Sequence, residues 1–121
     1  MAVEMAHAVY AEARNPDGSL LYERTPLEIK DDRHWWVQAE AVVGFYNAYQ
    51  LSGQEKFAQA AAQSWKYIQD HLIDRRHGDW FKVLDSNNVP YPAQYKVGPW
   101  ECPYHHSRLC FEMIRRLENK K

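Results

Sequence analysis

Trp35-Trp36-Val37-Gln38-Ala39-Glu40-Ala41-Val42-Val43-Gly44-Phe45-Tyr46-Asn47-Ala48-Tyr49-Gln50-Leu51 decides the fold class. Trp35, Ala39, Val42, Tyr46 and Tyr49 recur at three- and four-residue intervals, the spacing of one helix face rather than the alternation of a strand. Trp36, Glu40, Val43 and Asn47 run beside them as a stripe of mixed polarity, and the segment Trp35 to Glu40 sets one acid in an aromatic, otherwise apolar run. The spacing predicts a helix over His34 to Leu51, with Asp32 as its N-cap and Ser52-Gly53 as its stop.

The flanking segments predict three more helices. Ala2 to Ala13 places Met5, Val9 and several alanines on one side. Gln54 to Leu72 carries an apolar face of Phe57, Ala61, Trp65, Ile68 and Leu72 against a polar one. Tyr104 to Leu117 offers Cys110, Met113, Ile114 and Leu117 as core contacts, and the tail Glu118 to Lys121 is expected to fray. Between these helices lie two short excursions. Asn15-Pro16-Asp17-Gly18 is a turn leading into Ser19 to Glu23, one strand of a small hairpin or an extended loop. Pro26 and the run Lys30-Asp31-Asp32-Arg33 separate it from the next helix. Gly78 to Leu84 reads as a strand, Asp85 to Asn88 as a turn, and Val89 to Tyr95 as a return strand interrupted by Pro90 and Pro92. Gly98-Pro99 breaks the chain before the last helix. The expectation is one all-α domain over residues 1–121, about four helices stacked as hairpins, with no strand–helix alternation to build a parallel sheet.

Composition narrows the function. The 121 residues carry a formal net charge of -1, which gives no electrostatic case for nucleic acid or an anionic membrane. Five Trp and eight Tyr indicate a dense core, an interface or a surface that stacks on sugar rings. Cys102 and Cys110 lie eight residues apart in or beside one helix, too far to bridge along it, and read as reduced thiols. No apolar run approaches a membrane span, and Met1 to Tyr10 contains Glu4 and lacks a signal-peptide core, so a cytoplasmic location is expected.

Trp100-Glu101-Cys102-Pro103-Tyr104-His105-His106-Ser107-Arg108 carries the chemistry. Pro103 suits the opening turn of a helix, and His105 and Arg108, three apart, share a face of it. An acid–base group and a fixed cation then point into the same space; with Glu40 they indicate proton transfer on a polyhydroxylated substrate. Plainer readings stand beside this one. His105 could cap or decorate a helix start, Arg108 could pair with Glu112 at i+4, and Glu40 could be a buried acid satisfied locally. Cys102, His105, His106 and Cys110 match no standard zinc spacing. Tyr46, Trp65 and Tyr67 read as packing residues.

Three segments resemble one known family. Trp35-Trp36-Val37-Gln38-Ala39-Glu40-Ala41, followed by Gly44-Phe45-Tyr46-Asn47-Ala48-Tyr49, is similar to a signature of the N-acylglucosamine 2-epimerase and cellobiose 2-epimerase family. Gly78-Asp79-Trp80-Phe81 resembles its Gly-Glu-Trp-Phe segment. Trp100 to Arg108 resembles its C-terminal Trp-Lys-x-Pro-Tyr-His-Asn-x-Arg motif. The resemblance implies an (α/α)6 barrel of twelve helices, of which this chain matches the C-terminal third or so; an earlier helix with the family's other catalytic histidine has no counterpart here. Glu101 stands where lysine or arginine is usual, and His106 where asparagine is usual.

The resemblance implies C2 epimerisation or aldose–ketose isomerisation of a sugar without metal or redox cofactor. His105 would be one of two acid–base groups facing each other across the substrate. A helix N-terminus and a nearby Arg108 would disfavour its charged form and leave the neutral imidazole that a base needs. Arg108 would stabilise the enediolate oxygen, and Glu40 would hold a sugar hydroxyl or orient a histidine. Trp36, Trp100 and Gln38 would contact the sugar. Two expectations follow for the chain itself. It is a portion of an epimerase, inactive alone and completed by an N-terminal chain; or it is a non-catalytic carbohydrate-binding or assembly module. In either case apolar helix faces without neighbours favour a homo-oligomer or a complementary partner.

Overall fold

The computed structural model describes residues 1–119. Among them are four α-helices, α1 (Ala2–Glu12), α2 (Trp35–Ser52), α3 (Glu55–Tyr67) and α4 (Tyr104–Glu118), as the periodicity predicts. The two-residue strands β1 (Glu23–Arg24), β2 (Ile29–Lys30), β3 (Arg33–His34) and β4 (Val83–Leu84) form the excursions between them. Of the tail expected to fray, Glu118 belongs to α4, and Lys120 and Lys121 lie outside the described residues.

α2 is the centre of the molecule. One apolar cluster joins its Ala41, Phe45 and Ala48 to Ala6 of α1, to Leu20, and to Phe57, Ala60 and Ala61 of α3. A second joins its Trp35, Ala39, Val42 and Val43 to Tyr67, Ile68, Leu72, Leu84 and Leu109. A helix with neighbours on both flanks must be apolar most of the way round, which is why α2 buries far more than the single stripe of its spacing. Gly53, left-handed at φ 69°, closes it and sends its N–H back to the Tyr49 carbonyl, 2.8 Å away.

The 15–20 turn is fitted to this frame. Gly18 adopts φ 89°, and a Cβ built there would stand 2.7 Å from the Gln63 carbonyl oxygen, so the turn meets the α3 backbone directly. Ser64 donates its hydroxyl to the Gly18 carbonyl at 2.9 Å.

Four details differ from the sequence expectations. His34, not Asp32, is the N-cap of α2; its backbone is extended at φ -78° and ψ 135°, and Asp32 instead accepts the Tyr91 hydroxyl at 2.8 Å. The helix expected over Gln54 to Leu72 is α3 followed by a π-helical turn at Ile68–Leu72. The second excursion does not close on itself as a full hairpin. β4 pairs antiparallel with β3, Arg33 opposite Leu84 and His34 opposite Val83. Its local return partner keeps one bridge, Leu84 to Pro90, because Pro90 and Pro92 lack the N–H groups that would extend a ladder. Finally, Leu109 is the buried residue of α4, with Met113 partly buried; Cys110, Ile114 and Leu117 are exposed. The side of α4 facing α3 stays open as a groove of about 390 Å³, lined in part by Trp65, Met113, Ile114 and Leu117.

Candidate active site

The N-terminal parts of α2 and α4 pack together, and their contact brings Glu40 to His105 and Arg108. Glu40 Oε1 lies 3.0 Å from His105 Nδ1, and Arg108 Nη1 donates to Glu40 Oε2 at 2.8 Å. One carboxylate thus braces both groups that the three-residue spacing puts on one face of α4. In a neutral imidazole, a hydrogen on Nδ1 would donate to this carboxylate and leave the Nε2 lone pair to accept a proton. Arg108 keeps further N–H donors beyond the one engaged. The three side chains are each about one-third exposed, so a ligand could reach them.

Two of the plainer readings differ from the contacts observed. Glu112 pairs with Arg115 at 2.9 Å and Arg116 at 3.2 Å, not with Arg108. Glu40 is no buried acid, and its partners come from another helix. Arg108 reaches His105 through Glu40, so its positive charge is set against the carboxylate.

Aromatic rings surround the imidazole. Trp36 lies 5.8 Å from it, tilted by 40°; Trp35 and Tyr104 present edges at 6.2 Å and 5.1 Å. Trp36 also borders a groove of about 550 Å³ that runs along α2 past Glu40 towards Met5 and Val9 of α1. Trp100 stands on the loop before α4 with 85% of its surface exposed, free to meet a ligand.

Gln38 is a correction. It is fully buried, and both ends of its amide are taken by one residue: Leu20 N–H donates to Oε1 and Nε2 donates to the Leu20 carbonyl, each at 2.8 Å. It ties the 15–20 turn to α2 and does not reach a sugar.

Three further residues border the site. His106 stacks on Trp80 at 5.0 Å between ring centres, with Nε2 3.4 Å from Asp79 Oδ1. Burial lowers its pKa below the usual histidine value against the pull of Asp79, with the charge of His105 acting in the same direction as burial. Tyr22 stacks on His34 at 4.0 Å and turns its edge to Trp36 at 6.3 Å. Burial likewise lowers the His34 pKa. The Gly78-Asp79-Trp80-Phe81 segment signalled the first group. Nothing in the spacing signalled Tyr22 and His34, because the excursion between them brings together residues twelve apart.

Among the described residues, no group of three or more His, Cys, Asp or Glu is placed to hold a metal ion, and no helix is long and apolar enough to cross a membrane.

Comparison with known proteins places the fold in a family. Residues 1–108 match the family model of N-acylglucosamine 2-epimerase (GlcNAc 2-epimerase). The chain is 50% identical over 101 residues to the cellobiose 2-epimerase of Ruminococcus albus, covering 83% of this chain and 26% of that protein. It is 47% identical over 116 residues to the cellobiose 2-epimerase of Dictyoglomus turgidum, covering 95% of this chain and 29% of the relative. The solved structure of a sugar epimerase from a ruminal bacterium superposes with a TM-score of 0.90 at 45% identity, over 94% of this chain and 29% of that one. A D-mannose isomerase structure superposes at 0.76 with 27% identity, over 88% of this chain and 28% of that one. The four helices and their β excursions therefore correspond to part of a six-hairpin α/α toroid, and the chain spans between a quarter and a third of these relatives' length. By sequence, family model and fold alike, the chain belongs to the N-acylglucosamine 2-epimerase family.

Proposed function

We propose that this chain supplies one wall of a sugar 2-epimerase site and contributes one of its two proton-transfer groups. The observation that carries this reading is the Glu40 carboxylate shared between His105 Nδ1 and Arg108 Nη1. It leaves one ring nitrogen of His105 free as a base and sets a guanidinium beside it. In the open-chain aldose, His105 Nε2 takes the C2 proton. The C2–H electron pair forms the C1=C2 bond of an enediolate, and the aldehyde oxygen takes up the negative charge. Arg108 is close enough in the helix turn to stabilise that oxygen. Return of a proton to the opposite face of C2 inverts the centre; return to C1, with the O2 hydroxyl proton passing to O1 as the C2 carbonyl forms, gives the ketose. Trp36 and Trp100 offer ring faces to the apolar side of the sugar, and Glu40 serves as the brace of the pair.

Inversion needs a second acid–base group across the substrate. His7, His34, His71 and His77 stand in no matching motif, so that group comes from a complementary N-terminal segment and the isolated chain is inactive. Cellobiose, D-mannose and N-acylglucosamine are the sugars that the relatives' names suggest. Two exposed free thiols, Cys102 and Cys110, favour a reducing cytoplasm.

The test is C2 hydrogen–deuterium exchange by NMR in heavy water. The chain is assayed on cellobiose, mannose and N-acetylglucosamine, alone and mixed with the complementary N-terminal portion of the Ruminococcus albus relative. Exchange in the mixture that disappears with His105→Ala supports the assignment. A folded, associated mixture with no exchange on any sugar overturns it and favours the binding-module reading.

A further inference from the structure

We infer that Lys82 is a positioning residue that fixes the two helices carrying Glu40 and His105 relative to one another, through its carbonyl on one side and its ammonium on the other. The inference rests on the reading of His105 as the acid–base group. α2 starts at Trp35, whose N–H donates to the Lys82 carbonyl at 3.0 Å, continuing the pairing of β3 with β4 into the first turn of the helix. The N-cap His34 gives that turn no side-chain hydrogen bond. The Lys82 backbone thus meets one of the donors that a helix start leaves unpaired.

The side chain of Lys82 runs to the other helix. Its ammonium pairs with the carboxylate of Glu101, three residues before α4 begins, and both side chains are largely withdrawn from water, 25% and 12% exposed. The Lys82 ammonium holds the Glu101 carboxyl below the usual carboxylate range. The loop is shaped around that carboxylate. Gly98 N–H donates to the Glu101 carbonyl at 3.1 Å, and a Cβ on residue 98 would stand 2.5 Å from Glu101 Oε2. The N-cap of α4, Pro103, also lacks a side-chain hydrogen bond. Neither helix start has a capping side chain, and Lys82 contacts both the first residue of α2 and the segment just before α4.

The consequence lies at the site. His105 is the second residue of α4, and Glu40 is in the second turn of α2. Their 3.0 Å contact depends on the relative position of those two starts. Releasing the Glu101 loop lets the first turn of α4 shift, and the imidazole is the first side chain to leave its carboxylate.

The experiment uses the full chain and reads the tautomer of His105 by side-chain nitrogen NMR, with no sugar present. The Nδ1–H form marks the bond to Glu40. Lys82→Met and Glu101→Gln are each expected to lose that signature and move His105 towards the Nε2–H form. The exchanged pair, Lys82→Glu with Glu101→Lys, is expected to restore it, and Lys82→Arg to keep it. Thermal melts identify any variant that has simply unfolded; Glu101→Gln, which preserves shape, decides the matter if Lys82→Met does so. Single variants that retain the Nδ1–H form, or an exchanged pair that fails to regain it, overturn the inference. Failure of the sugar chemistry is a separate result: no C2 exchange in the complemented mixture while His105 keeps its Nδ1–H form.

Discussion

Glu40 serves two partners with two oxygens, and the exposure of the trio decides what each contact is worth. An ion pair about one-third exposed stabilises a fold only weakly, because water screens it and two long side chains lose freedom. The same groups have a larger effect on a charged intermediate formed between them, since a donor already in place costs nothing to reorganise. Arg108→Ala should therefore lower folding stability by less than about 1 kcal/mol. It should slow C2 exchange in the complemented assembly by about 10²–10³-fold. Denaturant midpoints and exchange rates on the same samples check this; equal effects on both would make Arg108 a structural residue. His106 gives a second prediction, with a definite sign. Burial lowers its folded-state pKa, so the unfolded chain binds a proton at about pH 6.5, before the folded chain does. The stability from neutral His106 is complete above that value and is lost as pH falls towards the folded-state pKa. His34 adds to the same slope for the same reason. His106→Asn should flatten the fall in stability between about pH 7.5 and about pH 5 without abolishing it, as urea midpoints across that range would show.

The elements differ in how far local sequence determines them. α2 is legible because its apolar residues recur over 18 residues, long enough for the helical period to stand out. The His105–Arg108 face is legible for a similar reason: i and i+3 neighbours need no tertiary knowledge. The β3–β4 pairing is not, because strands of two residues carry no periodic signal and their partners lie some fifty positions apart. The start of α2 was missed for the same cause. An aspartate two residues upstream satisfies the capping pattern, but the first N–H bonds across to Lys82. Gln38 shows the converse: the family resemblance implies a sugar contact, but its partner is the Leu20 backbone. That partnership predicts a large cost. Gln38→Ala would strand the buried Leu20 N–H and carbonyl at once and should destabilise the chain by about 3 kcal/mol. A lower urea midpoint at unchanged m-value would confirm it; a change below about 1 kcal/mol would mean that the turn finds other partners.

At the scale of the whole molecule, the exposed apolar residues are concentrated on particular faces. Phe111, Ile114 and Leu117 on α4 are each more than half exposed, and the groove beside Ile114 and Leu117 reaches Trp65 of α3. The second groove runs from Trp36 and Glu40 to α1, where Met5 is 64% exposed. These two grooves flank α2, the helix that holds the core together, so a partner docking in either adds to an existing layer rather than opening the fold. The structures that superpose on this chain are more than three times its length, and the complementary segment of the proposed function would dock in one of these grooves. Binding of such a segment to the folded chain must raise its stability, by about 2.7 kcal/mol when the free segment is at 100 times its dissociation constant. Ile114 separates this from general stickiness. At 55% exposure it contributes little to the isolated chain, so Ile114→Glu should leave the melting temperature of the chain alone almost unchanged, a stability change within about 0.5 kcal/mol. The same variant puts a charge into an apolar contact once the groove is filled, which removes the stabilisation on mixing and the C2 exchange with it. Parallel melts of wild type and variant, with and without the segment, distinguish the outcomes. A variant that still gains stability on mixing would place the partner in the groove beside α1 instead.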